Sequence, residues 1–231
     1  MRWAITAVLF WNPSLDAARS YCMLAGNDVE LQTARGEVMG DLLTRAECAA
    51  VRKAAGPRLV CAKYSGEWFL TDSDALKKIG RALALSDCTA LSEGSGVELY
   101  CTQASGMGTR SWYPTHLTTG ERFGRFGTEL ADCLVLTKNS SPGVVCTNTG
   151  TYNFGGRKPT RVDERPYSDA NLMGASGQQA YCVKSTANAR NGFVCACNGD
   201  YCAERDWIRY DVKRKQTVGG TVPLDTCIAA Q

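Results

Sequence analysis

The sequence has little of what defines several common functional classes, histidine above all. Histidine occurs once, at His116, and neither a Gly-x-Ser-x-Gly nor a His-Glu-x-x-His motif is present. Serine hydrolases and zinc peptidases use such motifs, so no catalytic residue is indicated and the chain is not expected to be an enzyme. Cys195, Cys197 and Cys202 lack a nearby fourth ligand for a zinc site, so neither a metal nor another cofactor is expected.

The chain also lacks a strong excess of one charge and any long apolar run. It has 26 Lys and Arg residues against 23 Asp and Glu residues, a formal net charge of +3. Nucleic-acid binding would need basic residues clustered on one face, so no nucleic-acid partner is expected. The apolar run of residues 3–11 is too short to cross a bilayer, so no stable membrane insertion is expected.

Cysteine, by contrast, is abundant, with 12 residues in a chain of 231. An even and high cysteine count is typical of proteins that form disulfides in an oxidising compartment. Residues 1–18 have a short basic start, Met1-Arg2, and continue with an apolar run that Asn12-Pro13 ends. This outline predicts a secretory signal peptide, with a buried first strand over residues 4–11 as the alternative. A secreted protein, extracellular or periplasmic, is therefore expected, with residues 19–231 forming a single domain.

Eight of the cysteines form four pairs with one constant spacing of 13 positions. These are Cys48 with Cys61, Cys88 with Cys101, Cys133 with Cys146, and Cys182 with Cys195. Equal spacing predicts an internal repeat, with units of about 40–50 residues starting near the first cysteine of each pair. Cys22 and Cys227 then resemble the two halves of a fifth unit that the termini share.

A mainly β fold is predicted, in which this disulfide-rich repeat of about five units closes into a five-bladed β-propeller. The alternative is an open repeat array with short helices. Trp68, Trp112 and Trp207 each lie 12 residues before a glycine, which predicts a strand, a turn and a second strand. A short helix is predicted for residues 48–55, and a strand for the corresponding residues 133–137.

Two disulfide schemes fit the cysteine pattern. The favoured scheme bridges the four equally spaced pairs, because a bridge within a rigid unit requires fixed geometry. It adds Cys22–Cys227, which would close the ring, and Cys197–Cys202. The other scheme joins each unit to the next, as Cys22–Cys48, Cys61–Cys88, Cys101–Cys133, Cys146–Cys182 and Cys195–Cys227, again with Cys197–Cys202.

Aromatic residues are the best indication of function. Trp68, Trp112 and Trp207 share one repeat position, and Tyr113 and His116 lie close to the second of them. These residues either pack in the core or form sugar-stacking platforms, because Trp and Tyr offer flat amphipathic faces. For His116 the alternative is a plain solvent-facing strand residue. The favoured function is a lectin-like module whose partner is a glycan or a cell-surface protein. The alternatives are a structural or protein-interaction component of an envelope or extracellular layer, and a secreted hydrolase.

Overall fold

The computed structural model describes residues 20–104, 111–124, 127–141, 143–147, 150–153, 160–161, 175–197 and 207–231. Residues 1–18, the expected signal peptide, lie outside the described residues, as does Cys202. Within the described part no helix is long and apolar enough to span a membrane.

The described chain is mainly β, with small antiparallel sheets and a few short helices. The strands are β1 (Ser20–Ala25), β2 (Asp28–Thr33), β3 (Leu59–Tyr64), β4 (Glu67–Asp72), β5 (Lys77–Leu83), β6 (Leu99–Ala104), β7 (Ser111–His116), β8 (Val144–Thr147), β9 (Gly150–Asn153), β10 (Thr160–Arg161), β11 (Phe193–Cys197), β12 (Trp207–Asp211) and β13 (Gln216–Val222). The helices are α1 (Arg45–Lys53), α2 (Leu85–Glu93), α3 (Leu130–Lys138), α4 (Ala175–Ala187) and α5 (Leu224–Ala229).

One order of elements occurs five times in the described residues: an antiparallel sheet and then a helix. The sheets are β1-β2, β3-β4-β5, β6-β7, β8-β9-β10 and β11-β12-β13, followed by α1 to α5 in turn. We refer to each sheet with its following helix as a unit, numbered one to five along the chain. The strand–turn–strand predicted after Trp68 and Trp207 is confirmed as β4-β5 and β12-β13.

The predicted helix at residues 48–55 is confirmed as α1, which begins one turn earlier. Thr44 caps it, accepting the N–H of Glu47, while the Glu47 carboxylate accepts the N–H of Thr44. The strand predicted for residues 133–137 is wrong, because these residues lie in α3. Their local preference is for a strand, but helical spacing buries Cys133, Leu136 and Thr137 together on one side, and such packing outweighs local propensity.

Five disulfides lie within the described residues, and each joins the first strand of a unit to that unit's own helix. They are Cys22–Cys48, Cys61–Cys88, Cys101–Cys133, Cys146–Cys182 and Cys195–Cys227. The favoured scheme is therefore wrong, and these five bridges of the other scheme are confirmed. Cys197 is also disulfide-bonded, but its expected partner Cys202 lies outside the described residues.

The constant spacing belongs to the connection between units. A helix cysteine and the next strand cysteine are separated by the end of the helix and a tight turn. One hydrogen bond recurs in all four connections, from a backbone N–H to the carbonyl three residues on: Gly56 to Leu59, Gly96 to Leu99, Ser141 to Val144 and Arg190 to Phe193. The bridged cysteines, by contrast, are 26 to 36 residues apart, because strand and loop lengths differ between the units.

No closed propeller is seen in the described part of the chain. Its sheets have two or three strands, whereas propeller blades usually have four. The bridge that would close a ring is absent, since Cys22 is bonded to Cys48 and Cys227 to Cys195. The last helix, α5, packs on α4, β11 and β12.

The hydrophobic clusters extend from one unit to the next. Leu31 and Met39 of unit one lie in a single buried cluster with Val60 and Ala62 of unit two. Val144 of unit four similarly clusters with Val194 and Ala196 of unit five. In both cases the second unit contributes the residues that flank its strand cysteine, which point to the sheet face opposite that cysteine. In units two and five, the residues flanking the strand cysteine therefore pack on the preceding unit, while other residues of the same face, such as Phe69, stay partly exposed.

Candidate binding surface

The three predicted tryptophans differ in exposure. Trp68 is 9% exposed and Trp207 is 0% exposed. Each pairs with the residue at the end of its sheet's last strand, Trp68 with Leu83 and Trp207 with Val222. Both rings are buried, so neither belongs to the accessible surface described below. Trp112 is partly exposed and packs against the first core cluster.

The residue after the tryptophan points to the opposite sheet face in units two and three, and in unit two it is the more accessible one. Phe69 and Tyr113 are both partly exposed there. The Nζ atom of Lys78 lies 4.9 Å from the centroid of the Phe69 ring. The guanidinium carbon of Arg122 lies 5.9 Å from the centroid of the Tyr113 ring. At these distances a cation is attracted to the ring face.

The two pairs occupy equivalent positions. Each aromatic residue directly follows the tryptophan, and each cation stands two residues before a glycine in the left-handed region, Gly80 (φ 72°) or Gly124 (φ 92°). In unit two a second ring contacts the same cation. Tyr64 lies edge-on to Phe69, with the two ring centroids 6.2 Å apart, and the Tyr64 centroid lies 4.9 Å from the Lys78 Nζ atom. We refer to Tyr64, Phe69 and Lys78, and to Tyr113 and Arg122, as the aromatic–cation pairs.

Hydroxyl groups surround the pair of unit three. Tyr113 is directly opposite Thr102 in the β6-β7 register, and the hydroxyls of Thr102 and Thr115 are 2.6 Å apart. Tyr100 lies across from Thr115, and burial raises the pKa of its hydroxyl although the nearby Arg122 charge opposes that shift. Thr115 itself is buried, at 2% exposure, so Thr102 and Tyr100 are the partly exposed hydroxyl residues beside the Tyr113 ring.

His116 ends β7 and caps the turn that follows. Its Nδ1 atom accepts the backbone N–H of Thr119 at 3.1 Å. The residue at this position accepts a backbone N–H two residues onward in three other units: Thr33 from Arg35, Asp72 from Asp74, and Asp211 from Lys213. Such short polar side chains stabilise turns through these local bonds. His116 thus shares a turn-capping role with aspartate and threonine.

The exposed cations near this surface have no carboxylate partner among the described residues. Lys78, Arg81 and Arg122 are exposed, and the ion pairs found in that part of the chain involve other cations. The guanidinium of Arg81 donates to the Gln103 side-chain oxygen at 3.0 Å, which connects β5 of unit two to β6 of unit three. This hydrogen bond joins the two units on the sheet face that carries Trp112, opposite Tyr113.

The sequence pattern predicted the neighbourhood of Tyr113 but missed Tyr64, Phe69, Lys78 and Arg122. Alignment of the units on their tryptophan and glycine positions would have revealed an aromatic residue after the tryptophan and a cation before the glycine. Unit five has Ile208 and Thr217 at these two positions. The described residues contain no group of three or more His, Cys, Asp or Glu side chains placed to hold a metal ion.

Comparisons with known proteins found no matching family model, no similar curated protein and no similar solved structure.

Proposed function

We propose that the protein is a secreted, lectin-like binding module, built as an open array of five copies of one disulfide-stabilised unit. The observation that carries this proposal is the presence of aromatic–cation pairs at equivalent positions of two successive units, Phe69 with Lys78 and Tyr113 with Arg122. Equivalent sites on stacked units are suited to a ligand that is itself a repeat.

Glycans suit the chemistry of this surface. A partly exposed tyrosine provides a flat apolar face with a polar edge, and the partly exposed Thr102 lies directly opposite Tyr113 in the register. Sugar rings present apolar C–H faces and many hydroxyls, which such groups complement. Shallow sites in neighbouring units also bind a polymer with avidity, so each site needs little affinity of its own.

Secretion is supported by the covalent structure. Five described disulfides and a sixth bridge at Cys197 are typical of chains that fold in an oxidising space. Ten cysteines held in strand-to-helix bridges would stabilise small units whose two- and three-stranded sheets are marginal alone.

A protein-interaction role is the second candidate, and one observation favours it. In units two and five the residues flanking the strand cysteine are buried against the preceding unit. In unit one these residues are Tyr21 and Met23, which are 42% and 51% exposed. The outer face of the first sheet therefore leaves apolar side chains uncovered.

A glycan array tests the lectin proposal, with the wild-type protein beside Tyr113→Ala and Trp112→Ala. Tyr113 is partly exposed, so its loss should abolish binding while lowering the free energy of unfolding by less than about 1 kcal/mol. Trp112 packs against the core, so its loss should cost roughly 3 kcal/mol. Thermal unfolding of each variant separates the two effects.

His116→Asp is the matched control, because aspartate holds the same turn-capping position in Asp72 and Asp211. Its glycan binding and stability should equal those of the wild type. The proposal is contradicted if the wild type binds no glycan or if Tyr113→Ala binds normally. Loss of binding in His116→Asp at unchanged stability would instead assign the imidazole a ligand contact.

A further inference from the structure

We infer that the ligand is an acidic glycan, sulfated or carboxylated, whose anionic groups are bound by Lys78 and Arg122. This inference rests on the proposed glycan-binding function and narrows it to one chemical class. Its starting observation is that the accessible charged groups of both aromatic–cation pairs are cations, and that no described carboxylate forms an ion pair with either.

The rings position the cations in advance. A free lysine or arginine side chain loses rotamer freedom when it is immobilised on a ligand. Lys78 lies 4.9 Å from each of two ring centroids, those of Tyr64 and Phe69, so much of this freedom is already lost before binding. Lys78 is an exposed residue, and its ammonium can donate to a sulfate or carboxylate oxygen.

Two carboxylates of units one and two are held by other cations. Asp72 accepts two hydrogen bonds from Arg58, at 3.0 Å and 2.8 Å. Glu47 accepts from Lys63 at 3.0 Å. Arg81 donates to the neutral amide of Gln103, which lies on the sheet face opposite Tyr113, so Arg81 is not part of the aromatic–cation pairs. An anionic chain that reaches both pairs would meet one cation in each unit, Lys78 in unit two and Arg122 in unit three.

Binding of a neutral sugar would not require a cation beside each ring, since ring stacking and hydroxyl hydrogen bonds need no charge. An anionic polysaccharide matches a ring and a cation in each unit, because each sugar residue carries a ring and an anionic group at a regular interval. Two cations in successive units then bind one chain, and the second contact is intramolecular once the first has formed. An octasaccharide should therefore bind more tightly than a disaccharide of the same composition.

The test measures binding of a heparin-derived octasaccharide, an oligogalacturonate and a neutral cello-oligosaccharide to the full chain. Lys78→Gln and Arg122→Gln should each weaken binding of an acidic oligosaccharide about tenfold, and the double variant on the order of 100-fold. Lys78→Arg should restore the binding lost in Lys78→Gln. Added salt should weaken wild-type binding, because the contacts are exposed.

Lys138→Gln with Lys184→Gln is the matched control, since it removes the same charge from side chains that are 57% and 49% exposed elsewhere. Its affinity should change less than about threefold. If Lys78→Gln/Arg122→Gln binds as the wild type does while neutral glycans bind and depend on Tyr113, the acidic class is overturned and the proposed function stands. If no glycan binds, both fail. Equal binding of an oligothymidylate or of phosphatidylserine vesicles would also overturn the inference.

Discussion

The Asp72 side chain both fixes a turn and forms an ion pair in the sheet of unit two. It accepts the backbone N–H groups of Asp74 and Ala75, at 3.0 Å and 3.3 Å, and so fixes the turn after β4. It also forms an ion pair with Arg58, whose pKa is raised mainly by that hydrogen bond. Burial is the largest single effect on the Asp72 carboxyl and raises its pKa, but these hydrogen bonds together lower the pKa below 3.8.

This depressed pKa predicts a pH dependence of stability. An aspartate whose folded pKa is below its unfolded value stabilises the fold above about pH 4, and that contribution is lost as the pH falls through the folded pKa. Asp72→Asn should therefore lower the free energy of unfolding by about 1–3 kcal/mol at pH 7. It should also lose less stability than the wild type between pH 5 and pH 2. Urea unfolding at a series of pH values measures both effects.

Asp74→Asn is the control for Asp72→Asn. Asp74 is 44% exposed and lies 3.5 Å from the Arg58 Nε atom, so its ion pair is screened and should contribute less than about 1 kcal/mol. If the two variants give the same acid profile, the coupling of Asp72 to acid stability is wrong.

The turn-capping position also shows what the sequence can and cannot predict at this scale. Alignment of the units places His116 beside Asp72, but the shared role follows only from the hydrogen bonds, since imidazole and carboxylate have different preferences. The contact of Lys78 with two rings likewise depends on the register between strands. The sequence predicts these strands but not their register.

At the scale of elements, close contact between successive helices sets the packing of the units. Gly56, after α1, is buried where an added Cβ would lie 2.2 Å from the carbonyl oxygen of Ser92 in α2. The Ser92 hydroxyl donates to the carbonyl of Leu59 at 2.7 Å and accepts the N–H of Gly56 at 3.2 Å. Gly96 repeats this arrangement after α2, where an added Cβ would lie 2.4 Å from the carbonyl oxygen of Thr137.

Gly56→Ala should therefore destabilise the protein by about 1–3 kcal/mol, because the added methyl group forces the units apart. Gly220→Ala is the matched control, since nothing lies within 4 Å of its added Cβ. It should be neutral or stabilising by up to about 1 kcal/mol, through reduced freedom of the unfolded chain. Equal thermal unfolding midpoints for the two variants would contradict the close packing of the helices.

Among the elements, the sequence predicts those whose signals are local. The helix α1 has a capping box and ends before Gly56-Pro57, so its local sequence pattern is sufficient to predict a helix. The helix α3 has a strand-favouring run, and the burial of Cys133 and Leu136 against neighbouring units decides its conformation. Such burial is a property of the packed units, which no single segment contains.

At the scale of the whole molecule, the cysteine pattern shows that an equal spacing between two cysteines does not by itself indicate a disulfide bond. The 13-residue interval is constant because it crosses a helix end and a tight turn that recur in every connection. The bonded pairs have unequal separations because they cross sheets and loops of unequal length. Since Cys22 is bonded to Cys48 and Cys227 to Cys195, the two cysteines belong to the first and the last strand–helix unit and do not share one.

Non-reducing peptide mapping tests this account most directly, because the proposed surface depends on successive units each bridged from strand to helix. Trypsin alone leaves Cys88 and Cys101 in one peptide, residues 82–110, whereas a glutamate-specific protease cuts between them at Glu93 and Glu98. Digestion with both enzymes should yield a peptide holding Cys61 linked to one holding Cys88, and a peptide holding Cys22 linked to one holding Cys48. A Cys48–Cys61 linkage, or a Cys22–Cys227 linkage, would contradict it.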